Sequence, residues 1–141
     1  MSTEPIIITP DFVWPEPDAH GNRTLANGAV IEQDARIEQD AVIGRRATIG
    51  QGATIGQGAV IGQGARVGPN ARWIACVGFA DGYYKDLCAV GDVAYIGAGC
   101  RWFTLGEALR HWGDHEEDRR ATMALMEGAK ALAKLNNLKW E

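Results

Sequence analysis

Histidine and cysteine, the residues that build many catalytic and metal centres, are scarce here: three of each in 141 residues. The cysteines, at 76, 88 and 100, are odd in number and form no C-x-x-C pair. That argues against a disulfide framework or a zinc ribbon, and it suits a cytoplasmic location. Two of them sit among apolar, strand-like residues, where cysteine serves as a small hydrophobe; no metal is expected. No apolar run approaches the 18 residues of a membrane span. The start, MSTEPIIITP, has no basic region before its short apolar run, so no signal peptide is expected either. The net charge is -4 and no run of Lys or Arg tracks along a face, so nucleic acid is not an expected partner.

Glycine, by contrast, is abundant, with 18 residues. A high glycine content without proline periodicity calls for a repeat search. From Leu25 the chain divides into sixes: LANGAV, IEQDAR, IEQDAV, IGRRAT, IGQGAT, IGQGAV, IGQGAR, VGPNAR. An aliphatic residue recurs from Leu25 to Val67, with alanine four positions later. Between them stands Gly, Asp or Asn, residues that tolerate a left-handed backbone; only Arg46 departs. One such unit cannot bury its own aliphatic side chain, but stacked units can. With three units per coil, residues 18 apart stack: Leu25, Ile43 and Ile61; Ile31, Ile49 and Val67; Ile37, Ile55 and Trp73.

This pattern resembles the bacterial transferase hexapeptide family. The resemblance implies a short left-handed parallel β-helix over residues 24–73 and a homotrimer. Of the outward-facing flats, only Thr24, Val42 and Val60 is uncharged and β-branched throughout, so it is expected nearest the trimer axis.

Residues 1–23 carry four prolines between apolar residues and are expected to form an extended arm. Residues 74–141 lose the six-residue period. They predict a small antiparallel β segment, with turns at Asp81-Gly82 and Gly91-Asp92, then two α-helices. The first helix opens on the capping-box spacing Thr104 to Glu107 and closes at Gly113. The second covers residues 116–135, with Ala121, Leu125, Gly128, Leu132 and Leu135 as its apolar stripe. The fold class is thus mainly β. The stretch GAGCRWFTLGEALRHW, residues 97–112, resembles a small module of phage- and prophage-encoded proteins, which implies a phage or mobile-element origin.

The acyltransferases of the hexapeptide family use a histidine base and often a loop inserted between repeats. Neither occurs in these repeats. The three-histidine zinc site of the carbonic-anhydrase branch is absent too. Glycines in GQGATIGQG mimic a phosphate loop but recur with the period of the fold. His20 precedes the first repeat, at a position suited to a subunit groove. His111 lies at a helix end, where the dipole favours a cation, and His115 falls in a charged stretch. Cys100 with His111 is a candidate nucleophile and base pair. Tyr83 and Tyr84 point to opposite faces if extended, so Asp81, Tyr83, Tyr84 and Lys85 form the expected binding surface.

The function expected from these features is a non-enzymatic trimeric binding or interaction protein, meeting a host factor or small ligand through the C-terminal module, with no cofactor. One alternative is an acyltransferase-like enzyme at the subunit groove, using His20 or His111 and acetyl-CoA. Another is a structural trimerisation module in which the β-helix is a stalk.

Overall fold

The computed structural model of the chain describes residues 3–114 and 119–140. Its first part consists of two-residue strands: β1 (Ile6–Ile7), β2 (Arg23–Thr24), β3 (Val30–Ile31), β4 (Arg36–Ile37), β5 (Val42–Ile43), β6 (Thr48–Ile49), β7 (Thr54–Ile55), β8 (Val60–Ile61) and β9 (Arg66–Val67), and from β3 on an outward residue precedes an inward aliphatic. Strands 18 residues apart pair in parallel. Ile31 lies beside Ile49 and Ile49 beside Val67; Ile37 lies beside Ile55, and Ile43 beside Ile61. The chain visits the three ladders in rotation. Ile43, Ile49, Ile55 and Ile61 are all but inaccessible to solvent, as are the alanines between them. Burying each such aliphatic is worth roughly 1.5–3 kcal/mol.

Each unit turns its corner on a left-handed residue. Asp34 (φ 62°), Asp40 (φ 67°) and Asn70 (φ 59°) adopt this conformation, and so does Arg46 (φ 60°), the residue that breaks the pattern. The glycine after each aliphatic has a different task. A Cβ at Gly50 would lie 2.6 Å from the backbone nitrogen of Pro69, and one at Gly44 would lie 2.5 Å from that of Gln63. These glycines let successive units approach closely. In the first units Glu32 and Glu38 occupy this position, and their carboxylates accept from the Gln51 and Gln57 amides at 3.1 and 3.2 Å.

The first ladder departs from simple stacking. Leu25 does not lie over Ile43, nor Thr24 over Val42. Instead β1 pairs antiparallel with β5, Ile6 beside Ile43 and Ile7 beside Val42. The segment containing Thr24 folds back antiparallel on β3, with Thr24 beside Val30. The physical reason is the proline-spaced arm: its IIIT stretch offers stronger β-formers than the opening repeat does. Ile8 is buried at this end, and Phe12 and Trp14 pack edge to face with centroids 4.9 Å apart.

After Arg72 pairs with Thr54 the chain leaves the repeat. Four longer strands follow in antiparallel order: β10 (Arg72–Ala80), β11 (Tyr83–Val90), β12 (Val93–Ala98) and β13 (Arg101–Thr104). The turns Asp81-Gly82 and Gly91-Asp92 fall where expected, and a third, Gly99-Cys100, joins β12 to β13. Helix α1 (Leu105–Gly113) begins with the complete capping box of Thr104 and Glu107. Helix α2 (Arg120–Leu135) buries Thr122, Met126, Ala129 and Ala133. Its buried face thus sits one position on from the expected stripe; Leu125 and Leu132 flank it, while Ala121, Gly128 and Leu135 are exposed. The small residues at 129 and 133 let the helix sit close to the sheet, which the larger leucines would prevent.

Strand β11 is the wall between two cores. Leu87 faces the helices, whereas Cys88 faces the hexapeptide interior. The module also closes the lower end of the ladders. In the last coil, Gly56, Gly62 and Gly68 meet no further repeat; they meet the rings of Trp73, Tyr84 and Trp102. The Arg66 amide finds the Gly99 carbonyl at 3.0 Å. No helix among the described residues is long and apolar enough to cross a membrane.

Candidate functional site

Alternation along β11 puts Tyr83 and Lys85 on one face and Tyr84 and Asp86 on the other. The first face borders a cavity of about 850 Å³, formed where the β10–β11 turn and the β12–β13 turn meet α1 and the start of α2. Asp81, Tyr83, Lys85, Cys100, Arg101, His111, Trp112, Arg119 and Thr122 line it. Three of the four residues expected to bind are therefore together, and Cys100 and His111 share the cavity with them.

Lys85 is the unusual member. The sequence suggested a surface lysine, but only 2% of it is accessible. Its position between the hairpin and Trp112 carries the stem inward. Its ammonium donates to the Ala80 carbonyl and to the Tyr83 carbonyl, the latter at 3.2 Å. It also lies 5.8 Å from the Trp112 ring centre and 5.9 Å from that of Tyr83, within cation–π range. Burial lowers its pKa; nearby Asp81 opposes this and Arg119 adds to it. Asp81 accepts a hydrogen bond from the Thr122 hydroxyl. That bond, helped by Arg119 and Lys85, holds its carboxyl below the ordinary range.

Tyr84 is not in the cavity. It stands over Gly62 and meets Phe79 edge-on at 5.0 Å, so it caps the ladders. Its neighbour Asp86 is buried with one donor, the Trp73 indole at 3.2 Å. Burial pushes that carboxyl up to about 7, and the indole hydrogen bond acts the other way.

His20 lies far along the chain from this cavity, in a shallow polar depression with Asn22, Glu32, Gln33 and Gln51. Asp18 shapes that loop by accepting from the backbone amides of His20 and Asn22 at 2.8 and 3.0 Å. Those bonds lower its pKa. His115 lies outside the described residues. Of the cysteines, Cys88 is buried and Cys76 half-buried, but Cys100 is exposed on its two-residue turn rather than in a core. Among the described residues no group of His, Cys, Asp and Glu is arranged to hold a metal ion.

Sequence reasoning missed Arg101, Trp112, Arg119 and Thr122. Only Arg101 carried a local signal, its place beside Cys100; the others reach the cavity through helix packing. Thr24, Val42 and Val60 do not form one flat. Ile7 takes the place of Thr24, and the uncharged flat is Ile7, Val42 and Val60, with Ile7 55% and Val60 38% accessible.

No curated protein and no solved structure matches the chain. Residues 40–72 do match a family model, and it stops short of every residue lining the larger cavity. The matching model is that of the bacterial transferase hexapeptide, in six repeats, so this stretch of the chain is similar to that family.

Proposed function

We propose that the protein is a homotrimeric small-molecule-binding protein: a left-handed parallel β-helix of hexapeptides bears a C-terminal module, and the module's cavity is the binding site. The observation that carries this reading is the cavity itself. It combines aromatic walls from Tyr83 and Trp112 with a few converging polar groups, and its volume of about 850 Å³ suits a small ligand. A ligand that binds only the folded protein raises its melting temperature. Screening a metabolite collection by thermal shift therefore tests the reading. A hit should lose its shift in Arg101→Gln; hits that are all indifferent to that change would place the site elsewhere.

The 18-residue pairing and the family match support the β-helix, and the accessible flat of Ile7, Val42 and Val60 supports self-association there. Val42→Glu with Val60→Glu should convert the trimer to monomer by light scattering. A double variant that stays trimeric removes this face from the interface.

One observation favours a second reading, acyl transfer: Cys100 and His111 line the same cavity. Under it, acetyl-CoA raises the melting temperature and Cys100→Ser abolishes turnover. No shift at saturating acetyl-CoA dismisses it.

A further inference from the structure

We infer that the cavity takes a small organic oxyanion, a carboxylate or a phosphate on a planar body, seated against Lys85 with Arg101 and Arg119 beside it. This rests on the binding reading above and names its ligand class.

The protein as a whole carries a net charge of -4. Among the described residues lining the cavity, Lys85 and Arg101 face the carboxylate of Asp81. That carboxylate is already engaged by Thr122. A charge withdrawn from water needs a partner of opposite sign or a full set of hydrogen bonds. The Lys85 ammonium has three donors, and its partners are two backbone carbonyls and the faces of two rings. Among the described residues no carboxylate forms an ion pair with it. The carbonyls and rings hold the ammonium in place, and Asp81 acts on it through space without forming an ion pair with it. An oxyanion entering the cavity supplies a contacting negative charge and accepts a charge-assisted hydrogen bond. Arginine forks suit the two oxygens of a carboxylate or phosphate. Tyr83 and Trp112 add flat apolar walls, and their presence favours a planar body on the anion over a bare inorganic ion.

The test is ligand-observed NMR on the full chain with four matched probes: benzoate, phenyl phosphate, neutral benzyl alcohol and cationic benzylamine. The expected result is binding of at least one anion and not of the other two. Its Kd should weaken by roughly tenfold or more in Lys85→Met and in Arg101→Gln, the scale of one lost charged hydrogen bond. Arg101 is exposed, so its replacement keeps the test decisive even where Lys85→Met does not fold. Benzoate and phenyl phosphate separate the two anion types. Equal or tighter binding of the neutral or cationic probe, lost in Arg101→Gln, overturns the anion inference and leaves the binding reading standing. Anion binding unaffected by Arg101→Gln overturns the inference as well. If none of the four binds at millimolar concentration, the anion inference falls, and the metabolite screen alone decides the binding reading.

Discussion

The hexapeptide segment and the C-terminal module reach stability by different routes. In the first, one local rule repeats: an aliphatic goes inward, a left-handed residue turns the corner, a small residue fits behind it. In the second, no rule repeats, and each residue's role depends on what lies across from it. Ile49 needs only the units above and below. Lys85 needs a hairpin, a second turn and two helices to become a buried cation. A periodic scaffold thus buries its core with residues fixed by spacing, while the aperiodic part carries the chemically distinctive groups.

Removing a core side chain from the periodic region tests how closely the two are joined. Ile49→Ala is expected to cost about 2–5 kcal/mol, the range for an aliphatic cut back in a packed interior. Because β11 serves both cores, urea unfolding followed by Trp fluorescence and by far-UV dichroism should still give coincident transitions. Separate transitions would make the two regions independent folding units.

Asp86 sits on the dividing strand and gives the comparison a pH dependence. Unfolded, its carboxyl ionises near 3.8; buried, it ionises at about 7. Between those values the native state holds a proton that the unfolded chain has released. Stability from this group is therefore complete below pH 4, falls as pH rises, and is fully lost above pH 7. The difference corresponds to about 4 kcal/mol at most. Asp86→Asn keeps an acceptor for the Trp73 indole and removes the charge. It should stabilise the protein at pH 8 and change little at pH 4. Equal effects of the substitution at the two pH values would show that Asp86 does not titrate in this way.

Smaller effects separate the regions further. Thr104→Ala removes the α1 capping box and should cost about 1 kcal/mol, with a matching drop in melting temperature. Arg46→Gly should do the reverse. A side chain held at φ 60° is strained, so glycine at this one corner should gain up to about 1 kcal/mol. A loss of stability there would show that the Arg46 side chain contributes more than its backbone costs.

The parts legible in sequence were those governed by neighbours along the chain. The corner positions, the 18-residue pairing, the hairpin turns and the Thr104 cap all follow from short-range pattern. Expectations failed where a distant segment competed. The arm displaced the segment of Thr24 from the first ladder, and nothing within the repeat announces that. The buried face of α2 shifted by one residue because close packing selected Ala129 and Ala133 over neighbouring leucines. Tyr84 and Lys85 were grouped as one surface although alternation separates them; one became a cap and the other a cavity wall. Arg119 and Thr122 reach the cavity only through tertiary packing, so no local pattern marks them.

The caps on the ladders have a consequence for how the protein can change in length. Open stacks grow by adding units at a terminus, but here Ile6 and Ile7 occupy one end and three aromatic rings the other. The cover is uneven, because β1 pairs with β5 alone and β4 stays an edge strand of its sheet. Growth in the interior keeps both caps in place only in whole coils. A duplication of 18 residues would leave every cap facing the surface it now covers, whereas one of 6 would present each cap to the wrong side.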